Sequence, residues 1–309
     1  MAKLRVDWHG SFAVIVTPFK KNGALDEKAF RQVVDNVIAA GCHGVIAGGS
    51  TGEFFLMSAD ERKRVQEIAV DQAKGRVPVL CGPAGIRTED VIDMAKHAHK
   101  VGCAGGMTLT PLYVGIDERE IVEFYKRVAG ESGLPIMLYN SPKYVQAVLT
   151  PALVDKLADI DGVVAIKDTS FDMFQMNNLV RIVGDKIRIF VGLENLYLPA
   201  LAVGAVGCVA MVPQVIGKTA VDIYNCWQKG DIKGARRAHE IVCRVYDLFG
   251  IGSGYIAIKE SMNLLGLPGG YSRPPMLMFT DEQKAKLRAI YEETGFLAPA
   301  NAARRAAGD

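Results

Sequence analysis

Val163-Val164-Ala165-Ile166-Lys167-Asp168 is a short apolar run that ends in an amine and a carboxylate. The run is rich in β-branched residues and too short for a helix, so it predicts a buried strand. A lysine at the end of such a strand is costly unless its amine reaches solvent or has a chemical role. Burial disfavours the ammonium form, so a buried Lys167 would present a neutral amine able to form a Schiff base with a carbonyl. The segment alone leaves both alternatives open.

Further short apolar runs alternate with longer amphipathic stretches along the chain, and this alternation is typical of βα units. The predicted strands are 12–16, 44–47, 77–81, 106–109, 135–139, 163–167, 187–191 and 207–211. Helical spacing is clearest at 26–40, 58–74, 117–132 and 171–183, and Ser58 with Glu61 predicts a capping box. The pattern predicts an α/β fold, a (β/α)8 TIM barrel. An open doubly wound sheet is the alternative, disfavoured because no G-x-G-x-x-G follows the first strand.

The chain after the eighth predicted strand has helical patterns only, from about 217 to 293, with glycine-rich interruptions at 250–254 and 266–270. We therefore expect three parts. These are the barrel at 1–216, a C-terminal helical region at 217–296 packed on the barrel, and a flexible tail at 297–309. The tail is rich in alanine and has no clear apolar anchor.

Composition limits the classes of partner. Half of the 309 residues are hydrophobic, 23% are charged and the formal net charge is +2. With no long Lys/Arg run, this argues against nucleic acid or a membrane surface as the main partner. The six cysteines form no CxxC pair, which favours free thiols over zinc ligands or disulfides. The sequence starts with no signal-peptide core and has no apolar run of membrane length, so we expect a cytoplasmic protein that binds a small molecule.

Residues just after each predicted strand are the candidates for the site, because a TIM barrel places its active site at the carboxyl ends of its strands. Gly48-Gly49-Ser50-Thr51-Gly52-Glu53 follows the second strand, and its hydroxyls and backbone N–H groups could hold a carboxylate. It could equally be a tight turn before the next helix. Tyr139 ends the fifth strand beside Lys167 on the sixth, so a phenol could relay protons near the amine. Tyr139 could instead be an aromatic of the barrel rim.

Residues 8 to 295 resemble the dihydrodipicolinate synthase and N-acetylneuraminate lyase superfamily. The motifs that carry the resemblance are Gly49-Ser50-Thr51-Gly52-Glu53, Tyr139-Asn140-x-Pro142 and Ile166-Lys167-Asp168-Thr169-Ser170, together with Thr17-Pro18-Phe19, Thr110-Pro111, Lys259-Glu260 and Gly266-Leu267-Pro268. The resemblance implies class I lyase or aldolase chemistry on a 2-oxo acid, usually pyruvate, without metal or organic cofactor. It also implies a homotetramer built as a dimer of dimers.

By position in these motifs, Lys167 would form the imine with the C2 carbonyl of the substrate. Tyr139 would move protons to and from the substrate and the carbinolamine. Ser50 and Thr51, with Gly49 beside them, would hold the substrate carboxylate, and Thr51 or Ser50 would also link the proton relay.

Three further positions carry implied roles at the edge of the site. Tyr113 matches a tyrosine that reaches into the site of a neighbouring subunit in the synthases. Gly192 and Val209, at the ends of the seventh and eighth strands, match positions that present backbone groups to the substrate.

The departures from the family pattern concern the substrate. Tyr144 stands where the synthases have an arginine for the carboxylate of the aldehyde partner, and a phenol gives no bidentate charged contact, although Lys143 is adjacent. Ser50-Thr51 and the segment 172–176 favour the neuraminate lyase branch. That branch has an Asp-Glu pair where this chain has Glu194-Asn195. We therefore expect another 2-oxo acid, such as a 2-keto-3-deoxy sugar acid or a hydroxy-oxo acid, with Tyr144 among the substrate-binding residues.

Other functional classes fit the residues less well. A catalytically silent protein that binds a 2-oxo acid would have no need of both Lys167 and Tyr139. A phosphate-binding barrel would carry a glycine-rich loop after the seventh or eighth strand. The loops at those places begin Gly192-Leu193-Glu194-Asn195 and Met211-Val212-Pro213-Gln214, and neither is a phosphate cradle.

Overall fold

Eight parallel strands close into a barrel in the computed structural model, which describes residues 4–298. Each strand pairs with the next in the chain, and the eighth pairs back with the first. The strands are β1 Gly10–Val14, β2 Gly44–Ala47, β3 Val79–Cys81, β4 Gly105–Leu109, β5 Ile136–Asn140, β6 Val163–Asp168, β7 Arg188–Val191 and β8 Gly207–Ala210.

Helices follow the strands and cover the outside of the barrel. They are α1 Glu27–Ala39, α2 Ala59–Ala73, α3 Thr88–Lys100, α4 Glu118–Ser132, α5 Pro151–Ala158, α6 Met173–Val183, α7 Tyr197–Ala202 and α8 Pro213–Ile216, and then α9 Lys218–Gln228, α10 Ile232–Val245, α11 Gly254–Leu264 and α12 Asp281–Glu293. The predicted (β/α)8 TIM barrel with a C-terminal helical extension is confirmed.

Element ends differ from the predicted ones by up to two residues, for local reasons. β3 begins at Val79 because Pro78 has no N–H to donate to the sheet. α6 begins at Met173 because Phe171 has a left-handed backbone (φ 62°) and Asp172 caps the helix by accepting from the N–H of Phe174 at 2.7 Å. The predicted capping box of α2 is present, with Ser58 and Glu61 exchanging both hydrogen bonds.

Two apolar layers hold the barrel together. One lies between strands and helices, and the other fills the barrel interior with alternate strand residues. Phe12 and Phe190 meet edge to face inside, with ring centroids 5.2 Å apart. Val209 on β8 belongs to the same interior cluster. Above this filled interior, at the carboxyl ends of the strands, lies Lys167.

The C-terminal helices are tied to the barrel by polar contacts. Arg273 donates to both carboxylate oxygens of Glu61 at the start of α2, and Tyr271 pairs with Phe19 in an isolated antiparallel bridge. Lys259 on α11 donates to Glu53, which lies 206 positions earlier in the chain. The predicted tail falls outside the described residues, apart from Leu297 and Ala298.

Two further observations bear on the expectations from composition. All six cysteines are free thiols, four of them buried and two partly exposed. No single helix between residues 4 and 298 has the length and hydropathy to cross a membrane. A bent pair of segments, Ile232–Gly250 and Gly254–Leu264, passes that test only when taken together.

Candidate active site

The pairing of β5 with β6 places Tyr139 directly beside Lys167. Both side chains are buried, at 4% and 6% exposure. The Lys167 Nζ lies 4.3 Å from the centroid of the Tyr139 ring, over its face. The amine therefore does not reach out into solvent, and the alternative of an exposed lysine at a strand end is wrong.

No carboxylate of residues 4–298 lies within ion-pair distance of the Lys167 amine. A carboxyl nearby is Glu194, which is buried at 1% exposure and accepts hydrogen bonds from the N–H groups of Met211 and Val212. Burial raises the pKa of Glu194, while the hydrogen bonds from these two N–H groups and, to a smaller extent, the charge of Lys167 act in the opposite sense. The second carboxylate oxygen of Glu194, Oε2, has no hydrogen-bond partner among residues 4–298.

A hydrogen-bond network fixes the ends of β5 and β6. The Asp168 carboxylate accepts from Asn140 Nδ2 at 2.7 Å, Gln175 Nε2 at 2.8 Å and Ser170 Oγ at 2.6 Å. Burial raises the pKa of Asp168, and these three donors lower it. Asn140 also accepts from the N–H of Leu149 at 3.0 Å. Because Asn140 and Asp168 each follow a site residue directly, the network holds Tyr139 and Lys167 in register.

A cavity of about 60 Å³ opens at the Lys167 amine. A water molecule occupies about 30 Å³ in the liquid, so the cavity admits a group of only a few heavy atoms. Its lining consists of Val14, Ser50, Thr51, Met107, Tyr139, Tyr144, Lys167, Gly192, Met211 and Tyr255. Gly49 lines a smaller hollow next to it, together with Ser50 and Tyr139.

The turn after β2 brings two hydroxyls and two free backbone donors to this cavity. Ser50 and Thr51 line it, and their N–H groups donate no backbone hydrogen bond within residues 4–298. The turn is anchored by Glu53, which is fully buried with a left-handed backbone (φ 55°) and accepts from Lys259 and Ser272. A fixed turn with unused donors at a cavity suits an anionic group.

Position 192, just after β7, requires a glycine because neighbouring side chains leave no room for a Cβ atom. A Cβ built there would lie 2.6 Å from Cε of Lys167 and would also collide with Oγ1 of Thr169. Any side chain at this position would displace the amine from its place beside Tyr139. Glycine therefore leaves room for the lysine itself, in addition to the backbone role expected from the sequence.

Among the described residues, no group of three or more His, Cys, Asp or Glu side chains is arranged to hold a metal ion. The functional groups that converge here are an amine, phenols, hydroxyls and backbone amides.

Residues 7–294 match the model of the dihydrodipicolinate synthetase family. The chain belongs to this family. It is a lyase of the dihydrodipicolinate synthetase family, as its curated relatives are named for synthase or lyase activity.

Individual members of the family resemble the chain along almost its whole length. The 4-hydroxy-tetrahydrodipicolinate synthase of Methanothrix thermoacetophila is 34% identical over 92% of this chain and 96% of its own. YagE, a prophage protein of the dihydrodipicolinic acid synthase family from E. coli solved in complex with pyruvate, superposes with a TM-score of 0.91 at 27% identity, over 94% of this chain and 100% of that one. CdNal from Clostridium difficile, in complex with mannosamine, superposes with a TM-score of 0.87 at 26% identity, over 94% and 100% of the two chains.

Two of the expected site residues, Tyr113 and Val209, line neither the Lys167 cavity nor the smaller hollow beside it. Tyr113 is 83% exposed on the loop after β4, with a left-handed backbone (φ 76°) and a carbonyl that accepts from Gln146. Val209 is 1% exposed and packs inside the barrel. Alternate strand residues share a face, so Met211, two positions further, lies one layer higher and lines the cavity instead.

Tyr255 lines the Lys167 cavity, and sequence reasoning did not predict it. It lies near the start of α11 and lines the cavity together with Ser50 and Tyr144. Its ring stacks on that of Tyr144, with centroids 6.4 Å apart and an interplanar angle of 30°. Burial raises the pKa of Tyr255 above its ordinary value. The signal for it was the glycine-rich stretch 250–254, which lets the chain turn over the barrel mouth just before this residue.

Proposed function

We propose that this protein is a class I lyase that forms a Schiff base between Lys167 and the C2 carbonyl of pyruvate or a related 2-oxo acid. The observation that carries the proposal is the Lys167 amine. It is buried, has no carboxylate partner within residues 4–298, and lies at a small cavity against the ring of Tyr139. Such an amine has no counterion to hold it as a structural charge and has space beside it for a substrate carbonyl.

The neighbouring groups fit the steps of this chemistry. The amine adds to C2 of the oxo acid, and the carbinolamine loses water to give an iminium. Loss of a proton from C3 gives an enamine, which can form a C–C bond to a carbonyl compound, and the reverse sequence cleaves that bond. Tyr139 supplies the phenol that moves these protons, and the turn at Ser50-Thr51 supplies hydroxyls and N–H groups for the substrate carboxylate. Gly49 and Gly192 keep the space open.

Pyruvate is the first candidate substrate, because it fits a cavity for a few heavy atoms and because YagE is described in complex with pyruvate. We also propose that the protein is a cytoplasmic homotetramer. The large exposed ring of Tyr113 would then lie at a contact with a neighbouring subunit and complete that subunit's site. Sedimentation of the native protein and of Tyr113→Ala tests this assignment.

A second candidate function is 4-hydroxy-tetrahydrodipicolinate synthase itself, which is the name of several relatives. The observation against it is Tyr144, which lines the cavity where the synthases have an arginine for the carboxylate of the aldehyde. Turnover of pyruvate with a carboxylate-bearing aldehyde, faster than with any uncharged aldehyde, would favour this candidate.

Borohydride trapping tests the proposal before the full substrate is known. The protein is incubated with pyruvate, reduced with borohydride and mapped by mass spectrometry. We expect one reduced adduct, on Lys167, and none on Lys143, an exposed lysine close to the same cavity. An adduct on another residue would move the nucleophile elsewhere. Absence of any adduct with pyruvate and with longer 2-oxo acids would leave the Schiff-base mechanism without support.

A further inference from the structure

A second cavity of about 490 Å³ lies directly outside the Lys167 cavity. The two share three lining residues, Tyr144, Met211 and Tyr255. A molecule bound covalently to Lys167 and longer than pyruvate therefore extends into this outer cavity. Its full lining consists of Lys143, Tyr144, Phe171, Leu193, Met211, Tyr246, Phe249, Gly252, Ser253, Gly254 and Tyr255.

The walls of the outer cavity are aromatic and nearly free of charge. Five of the lining side chains are rings, the lining contains no carboxylate, and its one charged group is the exposed Lys143. Tyr246 packs against Phe249 with ring centroids 4.5 Å apart, which makes a continuous aromatic wall. Burial raises the pKa of Tyr246, so this phenol stays protonated and neutral near pH 7.

Phe171 is difficult to explain as a structural residue. It lies on the loop after β6, four positions beyond Lys167, with a left-handed backbone (φ 62°) and 62% exposure. For a bulky residue this backbone region costs about 1–2 kcal/mol, and an exposed ring gains little from packing. The loop is held in place from below by the hydrogen bond of Ser170 to Asp168. A strained aromatic at the rim of a site is expected where its ring covers a ligand.

The volumes of the inner and outer cavities indicate which part of a substrate each cavity can hold. An apolar cavity of about 150 Å³ holds benzene, so the outer cavity accommodates a substituted ring with room to spare, whereas the inner one does not. A polyhydroxylated sugar chain would need several directional hydrogen-bond partners, and an anionic chain would need a charged clamp. The outer cavity has one lysine amine and no arginine, and its hydroxyls come from Ser253 and from tyrosines whose rings form its walls. Flat rings for stacking are therefore the surface that it offers most of.

We propose that the carbonyl partner of this lyase is an uncharged aromatic aldehyde, whose ring binds in the outer cavity between Phe171 and the aromatic wall of Tyr246 and Phe249. The proposal rests on the function proposed above and specifies its second substrate. The enamine carbon C3 attacks the aldehyde carbon, a C–C bond forms, and the carbonyl oxygen takes a proton from Tyr139. Water then hydrolyses the imine, releasing Lys167 and a 2-oxo acid with a hydroxyl and an aromatic ring on C4. Cleavage follows the same path in reverse.

The test compares aldehydes in the native enzyme. Pyruvate is paired with benzaldehyde, with glyceraldehyde, and with an aldehyde that carries a carboxylate. The reverse reaction is followed as benzaldehyde release from 4-hydroxy-2-oxo-4-phenylbutanoate. We expect kcat/KM for the phenyl substrate pair to exceed the others by at least about tenfold, in whichever direction runs.

Two matched variants locate the ring. Phe171→Ala should lower kcat/KM for the phenyl substrate about fivefold to tenfold, mainly through KM, because it removes a stacking partner. Phe174→Ala is the control, since Phe174 is 75% exposed on α6 but does not line the cavity, and it should change kcat/KM less than twofold. Both residues are exposed, so neither substitution threatens the fold. The pyruvate adduct on Lys167 should form at the native rate in both.

The outcomes separate the inference from the function on which it rests. If the pyruvate adduct forms on Lys167 but the carboxylate-bearing aldehyde or glyceraldehyde is preferred, the proposed function stands and the aromatic aldehyde is wrong. If the preferred aldehyde is the one with a carboxylate and Lys143→Gln loses this preference, Lys143 binds that carboxylate. Equal effects of Phe171→Ala and Phe174→Ala would also overturn the binding place. If no 2-oxo acid gives an adduct, both proposals fail together.

Discussion

Lys167 and Lys259 are both lysines that the fold removes from water, and their surroundings differ in two respects. Each amine lies over an aromatic ring, Lys167 at 4.3 Å from the centroid of Tyr139 and Lys259 at 4.7 Å from that of Phe19. Lys259 also donates to the Glu53 carboxylate and, at 2.7 Å, to a backbone carbonyl. Within residues 4–298 Lys167 has no carboxylate partner, and it has a cavity beside it. The ring contact is common to both, so the carboxylate and the cavity distinguish a structural charge from a nucleophile.

The two regions therefore use a buried amine in opposite ways. Burial lowers the pKa of Lys259, while Glu53 works against that shift and keeps the charged pair together. That pair joins α11 to the turn that carries Ser50 and Thr51, so it positions the barrel mouth without touching the cavity. Lys167 lies in the mouth itself. Substitutions at the two lysines should consequently separate stability from activity.

The largest expected effect is that of Lys167→Met. Removal of the nucleophile should eliminate the pyruvate adduct and lower turnover by at least about four orders of magnitude. The free energy of unfolding should stay the same or rise, because an apolar chain of similar length replaces an unpaired buried amine. Trapping and urea unfolding measure the two quantities. A loss of stability as large as that of a Lys259 variant would show that the two lysines are alike and would remove the distinction.

Tyr139→Phe tests the part of the comparison that concerns Lys167 and its catalytic surroundings. The ring that packs against the Lys167 amine is retained and only the hydroxyl is lost, so stability should change little. Turnover should fall by about two to four orders of magnitude, the usual range for a positioned acid or base, while an adduct still forms slowly. Single-turnover trapping with pyruvate, followed over time, separates adduct formation from turnover. Native turnover in this variant would exclude Tyr139 from proton transfer.

Lys259→Met tests the other side, because it leaves the Glu53 carboxylate buried without its charged partner. The free energy of unfolding should fall by about 3–5 kcal/mol, and the Lys167 adduct should still form at temperatures where the variant is folded. Adding Glu53→Gln should recover much of the loss, because the unpaired charge is then removed. The control is Lys284→Met, whose half-exposed amine lies 3.9 Å from Glu260 and should contribute less than about 1 kcal/mol. A loss no larger than that of the control would mean that the Glu53 pair is not structural.

The sequence predicted the site of Lys167 but not the pairing of Lys259 with Glu53, and the reason is physical. Strand periodicity places β5 beside β6, so the meeting of Tyr139 and Lys167 follows from local pattern and the order of strands. The pairing of Lys259 with Glu53 is a contact between a helix and a turn 206 positions apart, and no local pattern specifies it. Tyr255 was missed likewise, because only tertiary packing brings the start of α11 over the barrel mouth.

Val209 on β8 and Met211, just beyond the end of that strand, show the limit of sequence reasoning at a finer scale. The period of two indicates that Val209 and Met211 face the same way, but it does not say which layer meets the cavity. That height depends on the shear of the closed barrel, which sets how far each strand is raised relative to the next. The side chain of Val209 packs in the layer below the cavity, and that of Met211 lines the cavity, while the role expected of the Val209 backbone stays a prediction.

The smallest expected effect concerns a second ion pair between the C-terminal region and the barrel, that of Arg273 with Glu61, which solvent reaches. The hydrogen bonds from Arg273, followed by those from Ser58, lower the pKa of Glu61 from 4.5 to about 2. Unfolded Glu61 takes up a proton near pH 4.5 and folded Glu61 only near pH 2. The pair therefore stabilises the fold above pH 4.5, and its contribution disappears as the pH falls towards 2.

Glu61→Gln isolates this charge, because glutamine preserves the capping box of α2 with Ser58. Solvent screens the pair, so the substitution should lower the free energy of unfolding by no more than about 1 kcal/mol at pH 7. The difference between native protein and variant should be constant above about pH 5 and should shrink towards zero near pH 2, as followed by urea unfolding across that range. A difference that persists unchanged at pH 2 would mean that Glu61 acts through packing. Loss of the difference near pH 2, the expected result, would set the two ion pairs apart. Water reaches the Glu61 carboxylate, so acid can protonate it in the folded protein, whereas water does not reach the pair of Lys259 and Glu53.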